Sequence, residues 1–243
     1  MSCYGSLAQW YDSLTGDVAY EQFADFYEAE FARCGGQFRL LLDLCCGTGT
    51  LTALMAGRGY ELIAVDASPD MLMQAQEKAF ELETPPLFLC QDASQLDLYG
   101  TVDAAYCSLD GMNYIHGDDL PAVFQRLRLF VRPGGLLIFD LRLPEWLRSL
   151  DGQVFVDEKE DVLCLWRADF DREENAIVYG MDLFSRRGKL WSRDSEEHIE
   201  YAHELERIRS LLEAGDFEQV CFRRDCPHGD AGRIFVTAKR TEE

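Results

Sequence analysis

No stretch of this chain is apolar over the roughly 18 residues that a membrane-spanning helix needs. The opening Met1 to Asp17 also lacks the basic patch and apolar core of a signal peptide, so no membrane is expected as a partner and a cytoplasmic location is expected. Basic residues are scarce. The 23 Lys and Arg face 44 Asp and Glu, a formal charge of −21, and such a field repels polyanions. That argues against nucleic acid as a partner and leaves a small molecule, a cationic acceptor or a protein; the acidity also serves solubility alone. No Cys-x-x-Cys or Cys/His ligand array occurs among the nine cysteines, so no zinc site is expected. Several of them, Cys90, Cys107, Cys164 and Cys221, sit in apolar runs and read as reduced, buried small hydrophobes. The histidines His116, His198, His203 and His228 form no i, i+4 pair, and no metal site is expected. Internal repeats and low-complexity segments are absent as well.

What is present is enough for one large core: 243 residues, 47% of them hydrophobic, fit one α/β domain carrying an insertion. Tyr20 to Cys34 puts Phe23, Phe26, Tyr27, Phe31 and Cys34 at helical spacing, and Gly35-Gly36 ends that helix. Strand and helix periods then alternate. Strands are expected at Arg39 to Leu44, Leu62 to Val65, Leu87 to Cys90, Val102 to Cys107 and Leu136 to Asp140. Helices are expected at Thr50 to Gly57, from Ser68-Pro69 to about Leu82, and after Asp118-Asp119 up to Arg132-Pro-Gly-Gly135. From Gln153 to Tyr201 the period shortens to near-alternation in three runs, Val162 to Phe170, Ala176 to Ser185 and Lys189 to Tyr201, which reads as an antiparallel meander. A helix at His203 to Ala214 and strands at Phe217 to Arg223 and Arg233 to Lys239 finish the chain.

The most specific stretch is Leu40-Leu-Leu-Asp-Leu-Cys-Cys-Gly-Thr-Gly-Thr-Leu-Thr52, a buried strand ending in an acid and then a Gly-x-Gly turn into a helix. Gly47 and Gly49 let a backbone approach a ligand at the carboxyl edge of the sheet. Asp43 suits an ammonium group, and Asp66, at the end of the second strand, suits ribose hydroxyls. A dinucleotide such as NAD requires a third glycine, yet Thr52 stands there and an acid precedes the turn. S-adenosylmethionine (SAM), which has ribose, amine and carboxylate but no phosphate, fits better. An NAD-dependent oxidoreductase and a catalytically silent SAM- or nucleotide-binding module remain the other readings.

The chain resembles the class I SAM-dependent methyltransferases over nearly its whole length. Leu42-Asp-Leu-Cys-Cys-Gly-Thr-Gly49 looks like the family's first motif and Val65-Asp-Ala-Ser-Pro-Asp-Met-Leu72 like its second. Gln91-Asp-Ala93 looks like the adenine segment, and Leu129 to Phe139 like the helix and strand beyond it. The resemblance implies a Rossmann-like sheet of seven strands, mostly parallel with the last antiparallel, helices on both faces, and a small antiparallel β insertion. The SAM-binding domain would then be 1–152 with 202–243, and 153–201 a lid. It also implies cofactor contacts: Asp66 and Ala67 near the ribose, Met71 on adenine, Asp92 and Ala93 at the adenine edge, and Cys107, Ser108 and Leu109 facing the methionine moiety. Leu7 to Asp12 and Val18 to Tyr20 resemble the N-terminal helices of a small bacterial branch, making Tyr11 and Tyr20 candidate walls. Where the family usually has glycine, this chain has Cys45, whose side chain either crowds the cofactor or turns into the sheet.

Methyl transfer needs in-line approach and exclusion of water, so the acceptor belongs beside Cys107 to His116. Asp110, Asn113 and Tyr114 are the candidate acceptor-side residues, Asp110 and Asn113 alternatively serving only to cap the turn. No Asn/Asp-Pro-Pro-Tyr segment typical of base-amine methyltransferases occurs. The expected activity is methyl transfer to a small-molecule or protein nucleophile. Trp166, Phe170, Tyr179, Phe184 and Trp191 either line the acceptor pocket or form the meander's own core; the histidines are expected at the surface or in the core, with His198, beside Glu196-Glu197, and His116 the two candidates for more.

Overall fold

A computed structural model describes residues 4–224, 227 and 232–242. His228 and the cysteines at positions 3 and 226 lie outside them. Seven strands form one sheet: β1 (Leu40–Leu44), β2 (Glu61–Asp66), β3 (Leu87–Cys90), β4 (Val102–Cys107), β5 (Val131–Arg142), β10 (Phe217–Arg223) and β11 (Arg233–Arg240). Their order is β10-β11-β5-β4-β1-β2-β3, with β11 antiparallel to both of its neighbours and the other pairs parallel. Chain order reverses between β1, which touches β2 on one side and β4 on the other. Ligands of open α/β sheets bind outside the carboxyl ends of strands at such a reversal.

Alternate side chains of each strand face opposite layers. On one face Leu41, Tyr106, Ile138 and Phe235 pack with Phe23, Tyr27 and Phe31 of helix α2 (Tyr20–Cys34). On the other, Leu42, Leu44, Cys107 and Phe139 pack with Val123 and Leu127 of α5 (Leu120–Phe130) and with Ile208 and Leu212 of α7 (Leu205–Ala214). Gly35 takes φ 73° and ends α2 as its spacing requires. The remaining helices are α1 (Tyr11–Leu14), α3 (Thr50–Gly57), α4 (Pro69–Ala79) and α6 (Pro144–Ser149). Ser68 caps α4, its hydroxyl accepting from the Met71 N–H at 3.3 Å.

Three expectations change. Strand β5 begins at Val131 rather than Leu136, and the Pro-Gly-Gly run is a register shift inside it: Val102 pairs with Val131 while Ala104 pairs with Leu136. A Cβ on Gly135 would stand 2.5 Å from the Asp103 carbonyl, so only glycine lets the strands close there. Cys90 and Cys221 are exposed, because β3 and β10 are the two edges of the sheet; Cys107 and Cys164 are buried.

Between α6 and α7 a second sheet of four antiparallel strands runs in order β6 (Gln153–Glu158), β7 (Val162–Asp171), β8 (Ala176–Arg187) and β9 (Leu190–Tyr201). Strand β6, a fourth beyond the three expected, is exposed along its length. Cys164, Met181 and Leu183 on the inner face pack with Leu7, Trp10 and Tyr11 of the N-terminal segment. Ala168 and Ile177 pack with Leu147. Directly opposed pairs share a face in an antiparallel ladder. Tyr179 with His198 and Ile177 with Glu200 therefore complete that inner face. On the other face Asp182 gathers Arg167, Arg193 and Ser195, each at 2.7 Å or less.

Candidate functional site

A cavity of about 610 Å³ opens outside the carboxyl ends of β1, β2 and β4, and a recess of about 270 Å³ adjoins it. Tyr11, Tyr20, Asp43, Gly47, Asp66, Ala67, Met71, Ser108, Leu109 and Tyr114 line the larger space. Asp92 and Ala93 line the smaller one, with Asp66, Ala67 and Tyr114 common to both. Gly49 lines neither, yet its φ of +68° and the 2.7 Å from a Cβ there to the Ala75 Cβ make glycine obligatory. Gly47, at φ +55°, has open space where a side chain would go, so its conformation and the clearance it leaves are what glycine provides.

Three carboxylates mark the cavity. Asp43 is buried and accepts from the Thr52 hydroxyl at 2.5 Å; burial pushes its pKa up to about 7. Thr52, in place of a third glycine, therefore holds the acid ahead of the turn. Asp66 accepts from the N–H groups of Gly47 and Ser68, both at 2.8 Å, and burial raises its pKa. Asp92 accepts from the Ser94 N–H at 2.7 Å and hydroxyl at 2.6 Å, fixing the short 3-10 turn Ala93–Gln95 at the recess.

Cys45 adopts φ 57°, the left-handed region in which a residue with a Cβ costs roughly 1–2 kcal/mol. Its side chain lies against Gly111, where an added Cβ would meet the Cys45 Cβ at 2.9 Å and the Cys107 Sγ at 2.7 Å. Gly111 thus makes the room that a glycine at 45 would otherwise supply. Cys107 itself is fully buried beneath the cavity floor and does not line it.

The loop after β4 differs from expectation. Leu109 and Asp110 both have positive φ, 56° and 58°, and donate their N–H groups to the two oxygens of Asp140 at 2.8 and 2.9 Å. Arg233 pairs with Asp140 and, at 2.6 Å, with Asp110. Asp110 is consumed in this buried ion network and does not line the cavity. Neither does Asn113: its amide donates to the carbonyls of Arg142 (3.3 Å) and Tyr201 (3.0 Å) and accepts from the Arg142 N–H (2.9 Å). Asn113 clamps β5 to β9. Of the three acceptor-side candidates only Tyr114 faces the open space.

The wall opposite the glycine turn comes from Tyr4, Tyr114 and, on β9, Glu197, Ile199 and Tyr201. His116 lines the recess and meets the Tyr201 ring edge-on at 4.9 Å. His198 is buried, 4.6 Å from the Tyr4 ring and with Nε2 3.3 Å from Glu196. Trp166, Phe170, Tyr179, Phe184 and Trp191 line neither space; Trp166 and Phe170 belong to the small clusters under the four-stranded sheet, and Trp191 is exposed.

A family model described as a methyltransferase domain matches residues 41–135, the part of the chain that carries the glycine turn, Asp66, Asp92 and Tyr114. A SAM-dependent methyltransferase from Clostridium acetobutylicum is 30% identical, with a TM-score of 0.86 over 98% of this chain and 99% of its own. The chain belongs to the SAM-dependent methyltransferases. A putative methyltransferase from Bacillus subtilis, YqeM, is 27% identical across 98% of both chains. The SAM-bound amino-pentose methyltransferase CalS10 of Micromonospora echinaspora shares the fold, at 20% identity and TM-score 0.78 over 99% of each chain. SAM is thus the methyl donor of this methyltransferase, and nothing in the comparisons favours NAD chemistry or a silent binder.

Sequence reasoning missed the fastening of the N-terminal segment over this methyltransferase's cavity. Asp12 accepts from Lys78 Nζ at 2.7 Å and from the hydroxyls of Thr48 and Thr50 at 2.6 and 3.1 Å. One acid thereby ties Tyr11 to the glycine turn and to α4. Its partners lie 36 and 66 residues away, a separation no local pattern reports.

Proposed function

We propose that this methyltransferase modifies a small molecule, held between the glycine turn and the edge strand β9 of the four-stranded sheet, and that it works in the cytoplasm without a nucleic-acid partner. The observation that carries this is the single cavity that runs from Asp43 and Asp66 to Tyr114, Ile199 and Tyr201. Its volume suits a cofactor and a modest acceptor. CalS10 is an amino-pentose methyltransferase, and an acidic chain is suited to an acceptor of that charge.

The donor set fits SAM. Asp66 has lone pairs left for two ribose hydroxyls, Asp92 and the Ala93 N–H suit the adenine edge, Met71 offers an apolar surface, and Asp43 answers an ammonium. Gly47 keeps the backbone clear, and Ser108 and Leu109 complete the floor, with Tyr11 and Tyr20 as walls. SAM supplies an electrophilic methyl group carried on a sulfonium. The protein's task is then to orient the acceptor and exclude water, for which residues 153–201 act as the lid on 1–152 and 202–243.

Replacing Ile199 by Trp fills the acceptor end from the lid. Transfer of labelled methyl from SAM into the low-mass fraction of a cell extract should fall at least tenfold, while S-adenosylhomocysteine (SAH) still binds. Loss of SAH binding together with transfer would place the cofactor, not the acceptor, against β9.

A further inference from the structure

Strand β9 carries a carboxyl group that cofactor binding does not use. Glu200 projects from the inner face opposite Ile177 and is 6% exposed. Its Oε2 meets no hydrogen-bond partner among the described residues. Stranding a buried acceptor costs free energy that an apolar residue would avoid, so such a group calls for a use. Tyr114 stands beside it. The Tyr114 ring lines the cavity while Glu200 does not, and the two are close enough that each shifts the other's ionisation.

The charged and titratable groups around Glu200 are Asp110 from the loop after β4, Arg142 at the end of β5, Arg233 at the start of β11, Tyr179 on β8 and Tyr114. Both arginines also reach Asp110. Arg233 holds Asp140 and Asp110, and Arg142 Nε lies 3.5 Å from Asp110. Burial, followed by the Asp110 charge, outweighs what the arginines and Tyr114 contribute, and pushes the Glu200 carboxyl up to about 8. Tyr114 is driven well above its usual value by burial, then by Tyr4 and Glu200, and so stays a neutral phenol.

We infer that Glu200, acting through the Tyr114 hydroxyl, takes a proton from the methyl acceptor, and that this acceptor is an amine. The inference rests on the reading that the Tyr114 side of the cavity receives the acceptor. An ammonium against Tyr114 gives its proton to the phenol oxygen as the phenolic proton passes to Glu200. The nitrogen keeps the electron pair of the broken N–H bond, the carboxylate becomes a carboxylic acid, and the phenol ends as it began. A base near 8 stands about two units below an alkylammonium of roughly 10.4, a hundredfold population cost that one turnover tolerates. A hydroxyl near the 15.7 of water would lie more than seven units away.

The test uses sinefungin, a SAM analogue with an amine-bearing carbon where SAM has its sulfonium and methyl, and SAH as the reference in each protein. Calorimetry gives the ratio of the two affinities between about pH 6.5 and pH 9. In the wild type the ratio should rise about tenfold over that range as Glu200 becomes a carboxylate behind the Tyr114 hydroxyl that meets the ammonium. Glu200→Gln should flatten the rise and Glu200→Asp restore it, a pattern that a purely structural role does not give. A flat wild-type ratio, or an equal rise in Glu200→Gln, overturns the inference and leaves the cofactor reading standing. Failure of the wild type to bind SAH overturns both.

Discussion

Replacing Asp66 by alanine probes the cofactor end of the cavity with the fewest side effects. Asp66 lines the cavity and is otherwise largely buried, and its carboxylate already accepts two N–H groups, from Gly47 and Ser68 at 2.8 Å. One lone pair on each oxygen remains for the ribose hydroxyls of SAM. Alanine removes both acceptors at once and leaves the sugar hydroxyls facing a wall that cannot answer them. Stranding polar groups in this way costs about 1–3 kcal/mol, which is roughly a five- to 150-fold loss of affinity. Asp66→Asn should not rescue it, because its amide must turn an N–H toward one of the two backbone donors. Calorimetry with SAH on all three proteins, alongside melting curves to confirm folding, reads the effect. SAH affinity within twofold of wild type in a folded Asp66→Ala protein would refute the ribose assignment.

Two further perturbations follow from the buried polar groups. Asn113→Ala removes three hydrogen bonds and strands the Arg142 N–H and two carbonyls, so it should cost about 3 kcal/mol and lower Tm by roughly 6–12 °C; a wild-type melt would show that the clamp between β5 and β9 is not needed. Asp43 has a folded pKa raised to about 7 from 3.8. A group raised in this sense contributes stability that is full below 3.8 and is lost as pH rises through 7, by up to about 4 kcal/mol for a three-unit shift. The ligand-free wild type should therefore lose stability between about pH 4 and 7 relative to Asp43→Asn, and parallel pH profiles of the two in denaturant titrations would contradict that burial cost.

The glycine-turn side of the cavity was legible because its determinants are local. A strand that ends in Asp43, a turn that needs left-handed glycines and an acid closing the next strand all leave marks within thirty residues of one another. The sheet was legible for the same reason, and so was α2, whose Phe23, Tyr27 and Phe31 are buried as their spacing requires and which Gly35 ends. The opposite wall was not. Its wall joins Tyr4, Tyr114 and Ile199, which meet only because the four-stranded sheet folds back over the loop after β4. Asp110 and Asn113 carry polar side chains at the expected place, but Arg233 and the β5 and β9 backbones, far away in sequence, claim them first. Cys45 was readable as an oddity, but the space that admits it is left by Gly111, on the far side of three strands in sequence. Strand β6 escaped because an edge strand exposed on both faces has no apolar alternation to report.

The central claim is that the cavity joins SAM to a small acceptor under a lid. Incubating the purified protein with methyl-labelled SAM and a cell extract, then separating low-mass solutes from protein and nucleic acid, tests it in one measurement. The label should leave SAM and appear in the low-mass fraction, in a compound other than SAM and its breakdown products. Label recovered instead in protein or nucleic acid would contradict the account.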